Sequence, residues 1–140
     1  MLTAPAAALV VVLGPFPTTA AADPGAGVAN PPAPPLIDHT QWVRWHGLPS
    51  LRVFPTPSGR TAAGLPGSGA SATEAWAEVL ALSPDADTPG MRAQFVCHWE
   101  FAELARPGKA SWNLEPWRPV VDDAGMVAAE CNPGGPEEAF

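Results

Sequence analysis

Two periods run along this chain. Gln41-Trp42-Val43-Arg44-Trp45 and Leu51-Arg52-Val53-Phe54 alternate apolar and polar positions, the period of strands with one buried face. Gly47-Leu48-Pro49 between them is turn chemistry, so the two runs predict a hairpin. Pro55 and Pro57 end the second run, because proline brings no N–H to a ladder. Thr61 to Gly69 is glycine-rich and reads as a loop. From Ser71 to Leu82 the period becomes helical. Trp76, Val79, Leu80 and Leu82 supply an apolar side, Thr73 can cap the helix, and Glu74 suits the positive end of its dipole. Ser83-Pro84 ends it, and Asp85 to Pro89 is a polar turn.

Met91 to Ala105 predicts a second helix, with Met91, Phe95, Trp99 and Ala102 at spacings of four, four and three. Phe95, Cys97, Trp99 and Phe101 also alternate, which leaves a strand as the alternative. Length, and the helix-favouring residues at both ends of the segment, favour the helix. Trp112 to Pro119, WNLEPWRP, holds two prolines and is not a regular helix. Met126 to Cys131 reads as a final short strand. The fold class is α+β: a small single domain of short antiparallel strands packed with two helices.

The amino-terminal part reads differently. Ala6 to Leu13 is an apolar run followed by Pro15, Pro17 and the small residues Ala20-Ala21-Ala22, the sequence of a secretion signal over residues 1–22. The run is far short of the roughly 20 apolar residues of a membrane span, so no transmembrane anchor is expected in the mature protein. No Lys or Arg precedes it, so the signal is atypical or the start lies further upstream. Residues 23–37, rich in Pro, Ala and Gly, read as an extended spacer or, less simply, as a motif for a proline-binding partner. The folded domain is then expected over residues 38–140.

Charge narrows the partners. With 7 Lys and Arg against 14 Asp and Glu, the chain carries a formal charge of −7, which argues against nucleic acid or an anionic membrane surface. Six Trp and no Tyr give a small domain bulky core material, each Trp burying about 150–250 Å². Cys97 and Cys131 are the two cysteines of the chain. In an exported protein they predict a disulfide across about 34 residues, stabilising by about 3–4 kcal/mol in the chain-entropy picture. The rival reading makes Cys97 a catalytic thiol beside His98, and leaves Cys131 without a role.

Met91-x-x-Gln94-x-x-Cys97-His98, Trp112-Asn113-Leu114-Glu115-Pro116-Trp117-Arg118-Pro119 and Cys131-Asn132-Pro133-Gly134-Gly135 together resemble a domain-of-unknown-function family of exported proteins from mycobacteria and related actinobacteria. Leu51-Arg52-Val53, Pro55-Thr56, Gly59-Arg60 and Ala75-Trp76-x-Glu78-Val79 extend the resemblance over roughly Asp38 to Phe140. It implies export and the disulfide. It brings no activity and no catalytic residues.

The chain holds no G-x-S-x-G, H-E-x-x-H, phosphate loop, dinucleotide fingerprint or C-x-x-C, and its histidines, His39, His46 and His98, lack paired ligand spacing. No cofactor and no metal are therefore expected. The candidate acid or base is His98, oriented by Glu115 or Glu130. The candidate binding residues are Trp112 and Trp117 as an aromatic platform rimmed by Asn113, Glu115 and Arg118, with Arg60 and Arg92 as carboxylate binders. The alternative is structural: both tryptophans in the core, Glu115 paired with Arg118 or another arginine. The leading expectation is a secreted, non-enzymatic interaction or envelope-associated module, its partner an envelope glycan or protein. The alternatives are a small secreted hydrolase built on His98, or a secreted inhibitor or toxin-like effector.

Overall fold

The computed structural model describes Gly14 and residues 30–138. The signal expected over residues 1–22 and the spacer up to residue 29 lie, Gly14 apart, outside the described residues. Strands β1 (Ile37–Trp45) and β2 (Leu48–Pro55) form the expected antiparallel hairpin, in one register from Trp45 opposite Leu48 to His39 opposite Phe54, with a shift at Asp38 before Ile37 meets Pro55. The turn is His46-Gly47, not Gly47-Leu48-Pro49. Both turn residues have positive φ, 50° and 79°, the backbone that lets a two-residue loop follow the twist of its strands. Leu48 and Pro49 belong to β2 itself.

The chain joins the body before Asp38. Leu36 and Ile37 are buried, and their N–H groups both donate to the Glu78 carboxylate, at 2.8 and 2.7 Å. Helix α1 (Pro57–Ala63) occupies the start of the stretch expected to be a loop. Its signal was local: Thr56 caps it by accepting from the Gly59 N–H at 2.9 Å, and Pro57 fits the first turn, where no donor is needed. Gly59 is required there, because a Cβ would lie 2.0 Å from the Leu36 carbonyl oxygen.

Helix α2 (Gly69–Leu82) starts before Ser71. Thr73 is therefore inside the helix, its hydroxyl donating back to the Gly69 carbonyl, and Glu74 lies beyond the first turn. Trp76 and Val79 are buried, Leu80 is half-buried, and Leu82 is exposed. After a short 3₁₀ turn (Pro84–Ala86), Met91–Ala105 is helical throughout, as α3. It buries Met91, Gln94, Phe95, His98, Trp99 and Ala102 on one stripe, which disposes of the strand alternative.

Strand β3 (Trp112–Leu114) pairs antiparallel with β2, placing Leu51 opposite Leu114 and Val53 opposite Trp112. The sheet order is β1-β2-β3, and the architecture is α+β. The expected final strand over Met126–Cys131 is instead helix α4 (Asp123–Ala128) followed by a left-handed turn. Asp122 caps α4 by accepting from the Gly125 N–H, and Glu130 and Cys131 take positive φ to swing the chain back toward α3.

The core is aromatic at its centre. Phe95 lies 5.4 Å from Trp76, 6.0 Å from Trp99 and 6.1 Å from Trp112, and Trp99 meets Trp112 edge-on at 5.9 Å. Leu36, Leu51, Val53, Val79, Met91 and Leu114 pack around them. Cys97 and Cys131 are bonded, with Cα atoms 5.5 Å apart, and with Met126 they form a second, smaller cluster. The disulfide thus ties α3 to the turn after α4. Removing it in a Cys97→Ala/Cys131→Ala chain is expected to lower the unfolding free energy by about 3–4 kcal/mol, read by urea titration. An unchanged midpoint would refute this.

Candidate functional site

WNLEPWRP is threaded through the interior. In β3, Trp112 and Leu114 point into the aromatic core while Asn113 turns to the other face of the sheet, beside Arg52. The strand's end is read by α3. Gln94 accepts from the Glu115 N–H at 2.9 Å and donates to the Glu115 carbonyl at 3.0 Å, so one amide side chain completes both backbone groups. The Glu115 carboxylate is buried. It accepts from Ser50 Oγ at 2.9 Å and from Arg118 Nε at 2.5 Å. The Arg118 guanidinium donates further to the carbonyls of Pro133, Gly135 and Pro136, at 3.2, 2.9 and 3.2 Å, and lies over the Trp117 ring at 4.7 Å. Every charge in this network has partners that replace water.

Asn113 is equally committed. Its Oδ1 accepts from Ser111 Oγ, its Nδ2 donates to Glu138, and its carbonyl accepts from His98 Nε2 at 3.1 Å. Glu138 also pairs with Arg52 at 2.6 Å. The carboxyl-terminal segment is therefore strapped across the sheet by Arg118 at one point and by Arg52 and Asn113 at another.

His98 is 5% exposed. Burial, reinforced by the positive charges of Lys109 and Arg118 and opposed by the bond to Asn113, pulls its pKa down to about 3. The ring is neutral, with Nε2 fixed as the donor. A base of so low a pKa has little affinity for a proton near neutrality, and no hydrogen bond joins it to Glu115 or Glu130. Glu130 is exposed and shares with His98 the lining of a cleft of about 570 Å³ between α3, α4 and the carboxyl-terminal segment. Glu115 is spent on Ser50 and Arg118.

The two candidate arginines are not brought together. Arg60 pairs with Glu103 at 2.5 Å and donates to the Lys109 and Ala110 carbonyls, near the end of α3. Arg92 is exposed at the start of α3, roughly 16 Å away along the helix axis, near Thr73. The expected pairing of Trp112 with Trp117 as a platform does not form either, because Trp112 is fully buried. Trp117 is half-buried and pinned by donation from Nε1 to the Pro49 carbonyl at 3.0 Å. Its aromatic neighbour is Trp45, 6.4 Å away, which in turn lies 4.8 Å from His46. With Leu48, exposed at the hairpin tip, these residues form an aromatic ridge. Sequence reading missed Trp45 here because the end of β1 and a residue far along the chain meet only once the hairpin and the loop after β3 are folded.

Among the described residues no three of His, Cys, Asp or Glu converge in a metal-holding group, and no helix is long and apolar enough to cross a membrane. Residues 37–134, from the start of β1 to the segment strapped by Arg118, match the family described as protein of unknown function (DUF2599). The chain belongs to the DUF2599 family. The match spans both cysteines and the side chains of Ser50, Gln94, Glu115 and Arg118. Uncharacterised proteins of Mycobacterium tuberculosis and Mycobacterium bovis are each 65% identical over 123 residues, covering 85% of this chain and 82% of theirs. One of Mycobacterium leprae is 55% identical over 100 residues, covering 71% of this chain and 80% of its own length. No solved structure matches.

The state of His98 in this DUF2599 domain has a consequence for stability. Its folded pKa lies below the unfolded value of 6.5, so the unfolded chain binds the proton more tightly. Stability from this group is present above pH 6.5 and is lost as pH falls from there toward about 3. Urea titrations across that window are expected to show a smaller acid-induced loss for His98→Gln, which has no titrating ring. An equal loss in both proteins would refute the assignment.

Proposed function

We propose that this domain is an exported, non-catalytic interaction module of the cell envelope. The observation that carries the non-catalytic part is the commitment of the candidate acid–base pair. His98 is buried, neutral and bonded to a backbone carbonyl, and the Glu115 carboxylate is held between Ser50 and Arg118. Neither group is left to move a proton on a substrate. Export is supported by the apolar run and small-residue site of the amino-terminal segment, and by a disulfide, which persists in oxidising compartments.

The contact surface in this reading is the ridge of Trp45, His46, Leu48 and Trp117. One face of Trp117 is covered by the Arg118 guanidinium and its N–H is tethered to Pro49, so the ring is held rigidly. Rigid aromatic surface flanked by a polar ring such as His46 suits the C–H faces of a sugar, and the partner is an envelope glycan. The test is retention of the purified chain on cell-wall material. Trp117→Ala is expected to lose retention while keeping its circular dichroism and unfolding midpoint. Retention equal to the unsubstituted chain would refute the ridge as the contact.

A further inference from the structure

The cleft between α3, α4 and the carboxyl-terminal segment shares no residue with the aromatic ridge, and its volume of about 570 Å³ falls in the range of small-molecule sites. Its lining has two characters. Phe101, Ala102, Ala105 and Val127 are apolar, with Phe101 39% and Val127 53% exposed, an unusual amount of bare apolar surface at the mouth of a concavity. Arg106 and Lys109 supply cations, and the chain's own Glu137 carboxylate already lies on both, paired with Lys109 and 3.4 Å from Arg106.

A third feature is independent of charge. Asn132 is nine-tenths buried in the same lining. Its Nδ2 donates to the Glu130 carbonyl at 2.7 Å, which fixes the amide orientation, and its Oδ1 has no hydrogen-bond partner among the described residues. His98, with Nε2 donating to Asn113, keeps Nδ1 as an acceptor in the same wall. The cleft thus combines an apolar mouth, two cations already gripping a carboxylate, and acceptors that call for a donor.

We infer that this cleft binds an amphipathic carboxylic acid bearing an N–H or O–H next to its acid group, such as an N-acyl amino acid, with Glu137 as the internal carboxylate it displaces. The apolar chain lies along Phe101, Ala105 and Val127. The carboxylate takes the place of Glu137 on Arg106 and Lys109, and the donor meets Asn132. Displacement requires only the Glu137 side chain to turn aside, because its backbone is held between the Pro136 carbonyl on Arg118 and Glu138 on Arg52 and Asn113.

The probe is N-decanoylglycine below its micelle concentration, titrated calorimetrically into the purified chain, with the uncharged N-decanoylglycinamide as control. One saturable site for the acid, with the amide at least tenfold weaker, is the expected result. Glu137→Gln removes the internal competitor from a largely buried pair with Lys109 and is expected to tighten the acid at least about twofold. Arg106→Gln is expected to weaken the acid and leave the amide unchanged. No saturable binding, or equal binding of acid and amide, overturns the site. Unchanged or weaker binding by Glu137→Gln overturns the displacement.

Discussion

Arg118 is 3% exposed, shut off from bulk solvent, and the course of the chain around it follows from that constraint. A guanidinium in this setting must find acceptors for its donors, because an unpaired buried charge costs far more than a typical hydrogen bond returns. Glu115 supplies one, and the carbonyls of Pro133, Gly135 and Pro136 supply the others. Those carbonyls belong to a turn-rich segment with no ladder of its own, so the arginine gives the tail the backbone partners that secondary structure would otherwise provide. Such a pair need not add net stability over a well-packed apolar pair. It penalises every arrangement in which the tail is elsewhere.

The disulfide and the clasp act on neighbouring parts of the same segment. Cys97–Cys131 fixes the point where the chain returns to α3, and Arg118 with Arg52 and Asn113 fixes the path beyond it. Between those restraints the tail walls off a cleft rather than filling it. Glu137 closes that wall on one exposed cation, Arg106, and one buried cation, Lys109.

Two surfaces stand apart from the Glu115–Arg118 and Asn113–Glu138 networks. The ridge around Trp45 and Trp117 is rigid and aromatic. The cleft is amphipathic and bounded by the Glu137 carboxylate. In the proposed reading these two surfaces, rather than His98 or Glu115, make the contacts.

What the sequence by itself determined lies where neighbours in the chain decide the outcome. The stripe of Met91, Phe95, Trp99 and Ala102 specifies α3, the alternation before and after residues 46–47 specifies the hairpin, and two cysteines behind an expected export signal specify one bond. Short segments were less legible. Met126 to Cys131 has too few residues for a period to be counted, and the Asp122 cap and left-handed Glu130-Cys131 turn settle it as helix and return. The α1 signal, Thr56 followed by Pro57, was present but overridden by the glycines around it. Only tertiary structure decided which tryptophans are core and which are surface, since Trp112 and Trp117 share one motif and differ only in what packs on them. It also decided the site's chemistry. Ser50 and Glu115 meet across 65 residues, and Arg52 and Glu138 across 86. Local composition carries no information about such encounters, because they are fixed by how the sheet, α3 and the tail pack, and the cost of burying an unpaired charge selects the packing that satisfies them.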